Sequence, residues 1–273
     1  MKIYQNRCHG SNPINQSNAI SNVSEKYQFL PTNDLIQTIE SKGFIKKSVS
    51  YSNVRKIEKA GFQNHLVIFE HPQGKIDGQN LNLILKNSHD GTAAVKLMLG
   101  VYRLVCANGM IVGDSFSDIS IPHKGTEFYS KVDNGLNLVL GQFNNLIGTI
   151  EKWQNIELTD YEKRDLALKC IKLRYDLFDE KNKQNQIEFL QKQSDDKYLD
   201  HIINLSLQPL RHADRKNDLY TVYNVLQEKL IRGGIPYVNN KQTRLSRCRK
   251  INSIDVNVKL NQKSWNFAEQ LAA

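Results

Sequence analysis

The stretch LNLILKNSHDGTAAVKLMLGVYRLVCANGMIVGDSF, Leu81 to Phe116, constrains the fold more than any other part of this 273-residue chain. Two dipeptides punctuate it, Asp90-Gly91 and Asn108-Gly109. A two-residue type I′ hairpin turn needs positive φ at both central positions, which Asn, Asp and Gly tolerate best. Between the dipeptides, Val95, Leu97, Leu99, Val101 and Val105 fall on one side of an extended strand, and Lys96, Met98, Tyr102, Leu104 and Cys106 on the other. One face therefore belongs to a core, and the other is mixed and half covered by a helix. The pattern predicts an antiparallel meander that continues through Ile111-Val112 to Ile119-Ser120-Ile121.

Two further strands precede it, FIKKSVSYSNVRKI from Phe44 and GFQNHLVIFEH, the latter bounded by Gly61 and Pro72-Gln73-Gly74. Pro31-Thr32-Asn33-Asp34 predicts a turn and helix start, with Leu35, Ile36 and Ile39 on one face as far as Gly43. The first 30 residues, rich in Asn, Ser and Gln, read as an extended or partly ordered arm. After Pro122 the period becomes helical. Leu136, Val139, Leu140, Phe143, Leu146, Ile147 and Ile150 mark one long helix reaching about Trp153, and Thr159 with Glu162 forms a capping box for the next. Residues 180–194 read as a connector. Helices are expected near 195–208 and 217–232, the second stopped by Gly233-Gly234, with a short C-terminal helix from about Asn261 anchored by Trp265 and Phe267. Strands followed by helices predict an α+β fold. Beyond the arm (1–30), the expectation is a single domain over 31–273, with an antiparallel β-meander at 44–121 packed by a long helix and a helical part at 125–273.

Charge narrows the class of partner. The formal net charge is +9, and between Arg211 and Lys263 twelve basic residues face four acidic ones, so the excess is concentrated there. Such asymmetry points to a polyanion, nucleic acid above all, or else to a solvated face. The basic segment TRLSRCRK, Thr243 to Lys250, is the best candidate contact surface. Arg232, Lys241, Arg244, Arg247, Arg249 and Lys250 are its expected phosphate contacts, DNA being favoured over RNA.

Ser88-His89-Asp90 spells the residues of a serine triad but cannot be one. Neighbours on an extended strand point to opposite faces, and no GxSxG elbow is present. These residues read as a hairpin tip, in which Asn87, Ser88, His89 and Thr92 either offer a secondary loop contact or only stabilise the turn through Asx and ST bonding. His65, His71 and His123 lie near strand ends. Asp195, Asp196, Asp200, His201, His212, Asp214 and Asp218 gather in the helical half, though at no metal-ligand spacing. Cys8, Cys106, Cys170 and Cys248 are too scattered for a structural zinc site. No GxxxxGK[ST] or GxGxxG occurs. No catalytic residue, metal or cofactor is therefore expected. The opening MKIYQNRCHG lacks an apolar leader segment, and no apolar run approaches the ~20 residues of a membrane helix. With thiols read as reduced, a cytosolic protein without membrane association is expected.

Over almost its whole length the chain resembles a phage/plasmid-like family whose domain is of unknown function. The stretches carrying the resemblance are SEKYQFLPTNDLIQTIESKGF, GFQNHLVIFEH, NSHDGTAAVKLMLGVYRLVCANGMIVGD, ISIPHKG, DLYTVYNVLQEKLIRGG and RLSRCRKINSIDVNVKLNQKSWNFAEQL. The resemblance implies a protein carried by a mobile element in bacteria and brings no catalytic residues with it. A meander packed by a long helix is also a layout of single-strand annealing proteins, an analogy of fold alone. The expected function is a non-enzymatic, nucleic-acid-binding accessory protein, in DNA recombination or replication, acting as a homo-oligomer. Two alternatives stand beside it: a metal-dependent nuclease using the 195–218 region, and a protein-binding antagonist of a host system.

Overall fold

A computed structural model describes residues 12–52, 54, 56–76, 79–103, 108–111, 119–125, 127–176, 197–238 and 245–273. The chain divides into two compact units. The first comprises the described parts of Met1–Gly109 and Ser115–Phe143, the second those of Met110–Asp114 and Asn144–Ala273. The class is α+β, with the large antiparallel sheet in the N-terminal half and most of the helices in the C-terminal half.

The first unit is built on a meander. Strands β1 (Ile45–Tyr51), β2 (His65–Ile76), β3 (Gln79–Asn87) and β4 (Val95–Arg103) lie side by side in chain order, and β5 (Asn108–Ile111), next in the sheet order, has its first two residues in this unit. β6 (Ile119–Ile121) returns to pair with β4, Val95 opposite Ile121 and Leu97 opposite Ile119. The alternation read from the sequence is realised in β4, where Val95, Leu97, Leu99 and Val101 are all buried. β3 is covered on both faces: Leu81, Leu83 and Leu85 are buried, and so are Asn82, Ile84 and Lys86 between them. The edge strand β1 is largely exposed.

Two strand expectations need correction. Pro72-Gln73-Gly74 does not end β2, which runs on to Ile76 through a register shift between Glu70 and Lys75. Residues 71–74 are matched to no residue of β1 or β3, so Pro72 withholds no ladder hydrogen bond from either neighbour. Asn108 and Gly109 lie within β5 rather than at a turn, and residues 104–107 are outside the described residues.

α1 (Thr32–Ser41) buries Leu35, Ile36 and Ile39 as its periodicity predicts. The apolar stripe read as one long helix is built as two, α2 (Phe128–Gly141) and α3 (Phe143–Gln154), interrupted at Gln142. α2 packs on β4 and β6. Gly135 permits that approach, since a Cβ there would stand 2.9 Å from Ile119 Cγ2. The segment read as an arm is also tied down over its described part. Ile20 N donates to His89 O at 3.0 Å, Gln28 N to His123 O at 2.8 Å, and Leu30 is buried.

The second unit is helical. α4 (Asp160–Asp176) starts at the expected capping box: Glu162 N donates to Thr159 Oγ1 at 3.3 Å, and Thr159 N to Glu162 Oε2 at 2.8 Å. α5 (Lys197–Leu207), α6 (Leu219–Arg232) and α7 (Ile254–Ala272) follow, with a two-stranded hairpin, β7 (Pro236–Val238) and β8 (Leu245–Arg247), between the last two. The C-terminal helix begins seven residues before the expected Asn261, because Ser253 Oγ caps Val256 N at 3.4 Å. α6 is the axis of this unit, buried at every residue from Leu219 to Ile231, with α4, α5 and α7 packed around it. Trp153 and Trp265 lie 4.4 Å apart between ring centres, and Tyr223 meets both at 5.7 Å. Both indoles are fully buried, so Trp265 anchors α7 as expected, while Phe267 is half-buried.

Candidate functional site

The basic segment and the end of α6 form one structure. α6 stops after Arg232 because Gly233 turns the backbone to φ +95° while returning its N–H to the Lys229 carbonyl at 3.1 Å. Backbone bonds then seat the segment after β8 against this end. Gly234 N donates to Cys248 O at 3.0 Å, Cys248 N to Ile235 O at 2.8 Å, and Ile251 N to Ile231 O at 2.8 Å. The fit leaves no room for a side chain, since a Cβ on Gly233 would stand 2.6 Å from Cys248 O and 2.9 Å from Lys250 N. From beneath, buried Arg174 donates to the Arg249 carbonyl at 2.5 Å. Burial lowers its pKa, an effect opposed by the neighbouring Cys248.

Four of the six predicted phosphate contacts surround this joint. Arg232, Arg247, Arg249 and Lys250 are all exposed. Among the described residues, no carboxylate pairs with Arg247, Arg249 or Lys250. Lys241 and Arg244 lie outside the described residues. One cation of the basic region has a different task. Lys229 is buried, and its Nζ donates to the carbonyls of Leu205 (2.7 Å), Ser206 (3.0 Å) and Gln208 (2.5 Å), capping the end of α5. Burial and then the Arg247 charge pull its pKa down to about 8, against Glu228.

The predicted loop contact is largely turned inward. Asn87, Ser88 and His89 are fully buried, and of the four named residues only Thr92 is exposed. The tip is stabilised as Asx and ST bonding predicts, with Thr92 N and Oγ1 both donating to Asp90 Oδ1, at 3.1 and 2.5 Å. Behind the tip lies a polar cluster that sequence reading missed. Thr32 Oγ1 sits 2.7 Å from His65 Nε2, 3.1 Å from His89 Nε2 and 3.0 Å from Asn87 Nδ2. The partners assign the protons. His65 Nδ1 faces the Gln63 carbonyl at 3.0 Å and must donate, so its Nε2 accepts from the Thr32 hydroxyl. His89 Nε2 then donates to Thr32, and its Nδ1 is left without a complete bond, as is Ser88 Oγ. The Pro13 carbonyl lies near enough to favour a charged His89 but falls outside hydrogen-bond geometry.

Burial dominates the electrostatics of this cluster. It lowers the His65 pKa to about 4, against the Gln63 carbonyl, and that of His89 to about 3, helped by His65 and His123. His123 is a point of conflict. Its Nδ1 faces Gln28 O and its Nε2 faces Asn87 Oδ1, each at 2.9 Å, so both contacts are hydrogen bonds only when the ring carries two protons. Ser88 N, donating to Asn87 Oδ1 at 2.8 Å, holds the amide in that orientation. Burial nonetheless lowers the His123 pKa, and the Gln28 carbonyl opposes it. The ring also stacks on Tyr27 at 4.7 Å. No single stretch of sequence signals this cluster, because its members come from five separate segments.

The carboxylates of the 195–218 region are engaged elsewhere where they are described. Asp200 pairs with Arg164, Asp214 with Arg211 at 3.2 Å, and Asp218 caps α6 by accepting from Thr221 N at 2.8 Å. His201 and His212 are exposed, and Asp195 and Asp196 lie outside the described residues. Among the described residues, no group of three His, Cys, Asp or Glu side chains is placed to hold a metal ion. No helix among them is long and apolar enough to cross a membrane.

The model of a domain of unknown function, DUF932, matches residues 19–265. Two Escherichia coli (strain K12) proteins are similar over 249 residues, which is 91% of this chain and 83% of each relative: UPF0380 protein YafZ at 32% identity and UPF0380 protein YfjQ at 31%. No solved structure matches the chain.

Proposed function

The chain belongs to the DUF932 family, and for this member we propose a non-enzymatic, nucleic-acid-binding function, exercised as the accessory protein of a phage or plasmid-like element inside the cell. One observation carries the reading. Backbone bonds to the end of α6 hold the 245–251 segment so that Arg247, Arg249 and Lys250 stand exposed and, among the described residues, without carboxylate partners, beside exposed Arg232. A rigid backbone presenting uncompensated guanidinium groups suits a polyphosphate, because planar forks bind phosphate oxygens in pairs and release condensed counterions. DNA is the favoured partner. The nuclease alternative draws no support from Asp200, Asp214 and Asp218, whose oxygens are committed to Arg164, Arg211 and Thr221.

Fluorescence anisotropy against single-stranded DNA, duplex DNA and RNA, at about 50 and 200 mM salt, tests the proposal. Binding should weaken steeply with salt. An Arg247→Ala/Arg249→Ala/Lys250→Ala variant should bind more weakly, and its slope of log K on log salt should be shallower by about 2, at ~0.7 for each single-strand phosphate no longer neutralised. Binding with no salt dependence, or binding the triple variant retains in full, would sink the reading.

A further inference from the structure

In the first unit an open pocket of about 470 Å³ lies among residues 24–27, 91–94 and 122–124. Lys26 and Lys124 line it, both exposed and, among the described residues, without a carboxylate partner. The backbone that carries them is tied down. Tyr27 and Lys124 form an antiparallel bridge, Gln28 N donates to His123 O at 2.8 Å, and Tyr27 OH donates to Ser88 O at 3.1 Å. Ser24 adds a hydroxyl to the lining, whereas the Thr92 hydroxyl has given its proton to Asp90. His123, only 6% exposed, completes the wall.

His123 is also the second observation. Its two nitrogens face two acceptors, the Gln28 carbonyl and Asn87 Oδ1, so satisfying both makes the ring a cation. Among the described residues no carboxylate pairs with it. The 24–28 segment brings Lys26 and Tyr27, whose phenol burial pushes up to about 12, while exposed Glu25 does not line the pocket. The ring's own segment brings Lys124. α2 brings Phe128 at 5.2 Å, and the charges at its start, Glu127 and Lys131, pair with each other at 3.8 Å. From the sheet side come His65 and His89, both held neutral by burial, and Asp90, whose Oδ1 is occupied by Thr92. A buried imidazolium without a counter-charge is costly, and burial accordingly opposes its protonation. An anion in the pocket supplies that counter-charge.

We propose that this pocket binds a tetrahedral dianion, inorganic phosphate or the phosphate of a small monoester, between Lys26 and Lys124, with His123 as an imidazolium beside it. The inference goes beyond the nucleic-acid reading and does not depend on it. Three cations around one pocket suit an anion of about two charges, which a phosphate monoester approaches at neutral pH. A backbone diester carries one. At about 470 Å³ the pocket falls within the range of small-ligand sites, leaving room for an organic group on the phosphate. Binding is then linked to a proton. The anion favours the charged ring, so His123 takes up a proton as the anion arrives, and affinity rises as pH falls.

The test is an NMR titration of the full chain carrying isotope-labelled histidine, read at the His123 ring, with inorganic phosphate and with sulfate. Sulfate remains a dianion throughout the pH range used, so its pH dependence reports the protein alone. Both anions should bind saturably with Kd on the order of 1 mM or tighter and turn the His123 signal into that of a doubly protonated ring. Lys26→Ala/Lys124→Ala should weaken both about tenfold or more. Both lysines are exposed, so folding is retained, which circular dichroism verifies. Sulfate should bind about tenfold more tightly at about pH 5.5 than at about pH 7.5. His65 and His89, at about 4 and about 3, stay neutral across that window, and His123→Gln should abolish the dependence. A His123 signal unmoved by either anion at about 50 mM, roughly fifty times the expected Kd, overturns the site. So does sulfate affinity that is independent of pH, or undiminished in the lysine variant. An oligo-dT that moves the His123 signal as readily as inorganic phosphate overturns the choice of a dianion over a diester.

Discussion

The Asn87–Thr92 turn and the 245–250 segment look alike as sequence: each is short, polar and free of apolar periodicity. The fold treats them oppositely. The first is drawn inside, where Asn87, Ser88 and His89 are fully buried, while the second is tied down by its backbone and leaves its charges in water. The difference lies in what each side chain needs on losing water. Asn and neutral His need only one or two hydrogen-bond partners, and Thr32, Leu30 and His123 supply most of them. A buried guanidinium keeps its charge and needs several acceptors or a counter-ion. Arg174 and Lys229 show the requirement: the first is buried with the Arg249 carbonyl and the Cys248 side chain at its head group, the second with three backbone carbonyls.

That contrast predicts effects of descending size. Asn87→Ala should be the most severe, removing the acceptor of Ser88 N and His123 and the donor to Thr32, and should cost roughly 3–5 kcal/mol in urea denaturation. A loss below about 1 kcal/mol would mean that water replaces the amide and the turn is not a true interior.

Acid should act next. The folded pKa values of His65 and His89 lie below the ordinary 6.5, so both rings are neutral in the fold and take up protons on unfolding. The stability they confer is complete above pH 6.5 and is lost as pH falls towards about 4 for His65 and about 3 for His89. By about pH 5 the loss should be on the order of 2 kcal/mol per ring, read as a lower urea midpoint than at about pH 7.5. A flat profile would place charged rings inside the unit.

Gly233→Ala comes third. The left-handed φ and the 2.6 Å approach of Cys248 O should together cost about 2 kcal/mol and loosen the 245–251 segment, visible as faster amide exchange there. The smallest effect on stability belongs to the Arg247→Ala/Arg249→Ala/Lys250→Ala variant, expected within about 0.5 kcal/mol of the parent. Its Tm should hold while its binding falls, the inverse of Asn87→Ala, whose folded fraction should bind nucleic acid normally.

Periodicity and capping by themselves determined much of the architecture. The alternation of Val95 to Val101, the face of Leu35, Ile36 and Ile39, the Thr159–Glu162 box and the Gly233-Gly234 stop are local signals, each set by the chain's own geometry within a few residues. Where a local signal competed with a neighbour, the tertiary structure decided. Pro72 is tolerated because it falls where neither β1 nor β3 is in register with β2, and the helical stripe breaks at Gln142. The candidate sites divide the same way. The basic character of Arg247, Arg249 and Lys250 is legible as composition, but their exposure rests on contacts with Ile231, Gly234 and Ile235. The histidine cluster joins residues tens of positions apart. Its physical content is desolvation and partner geometry, which exist only once the chain has folded.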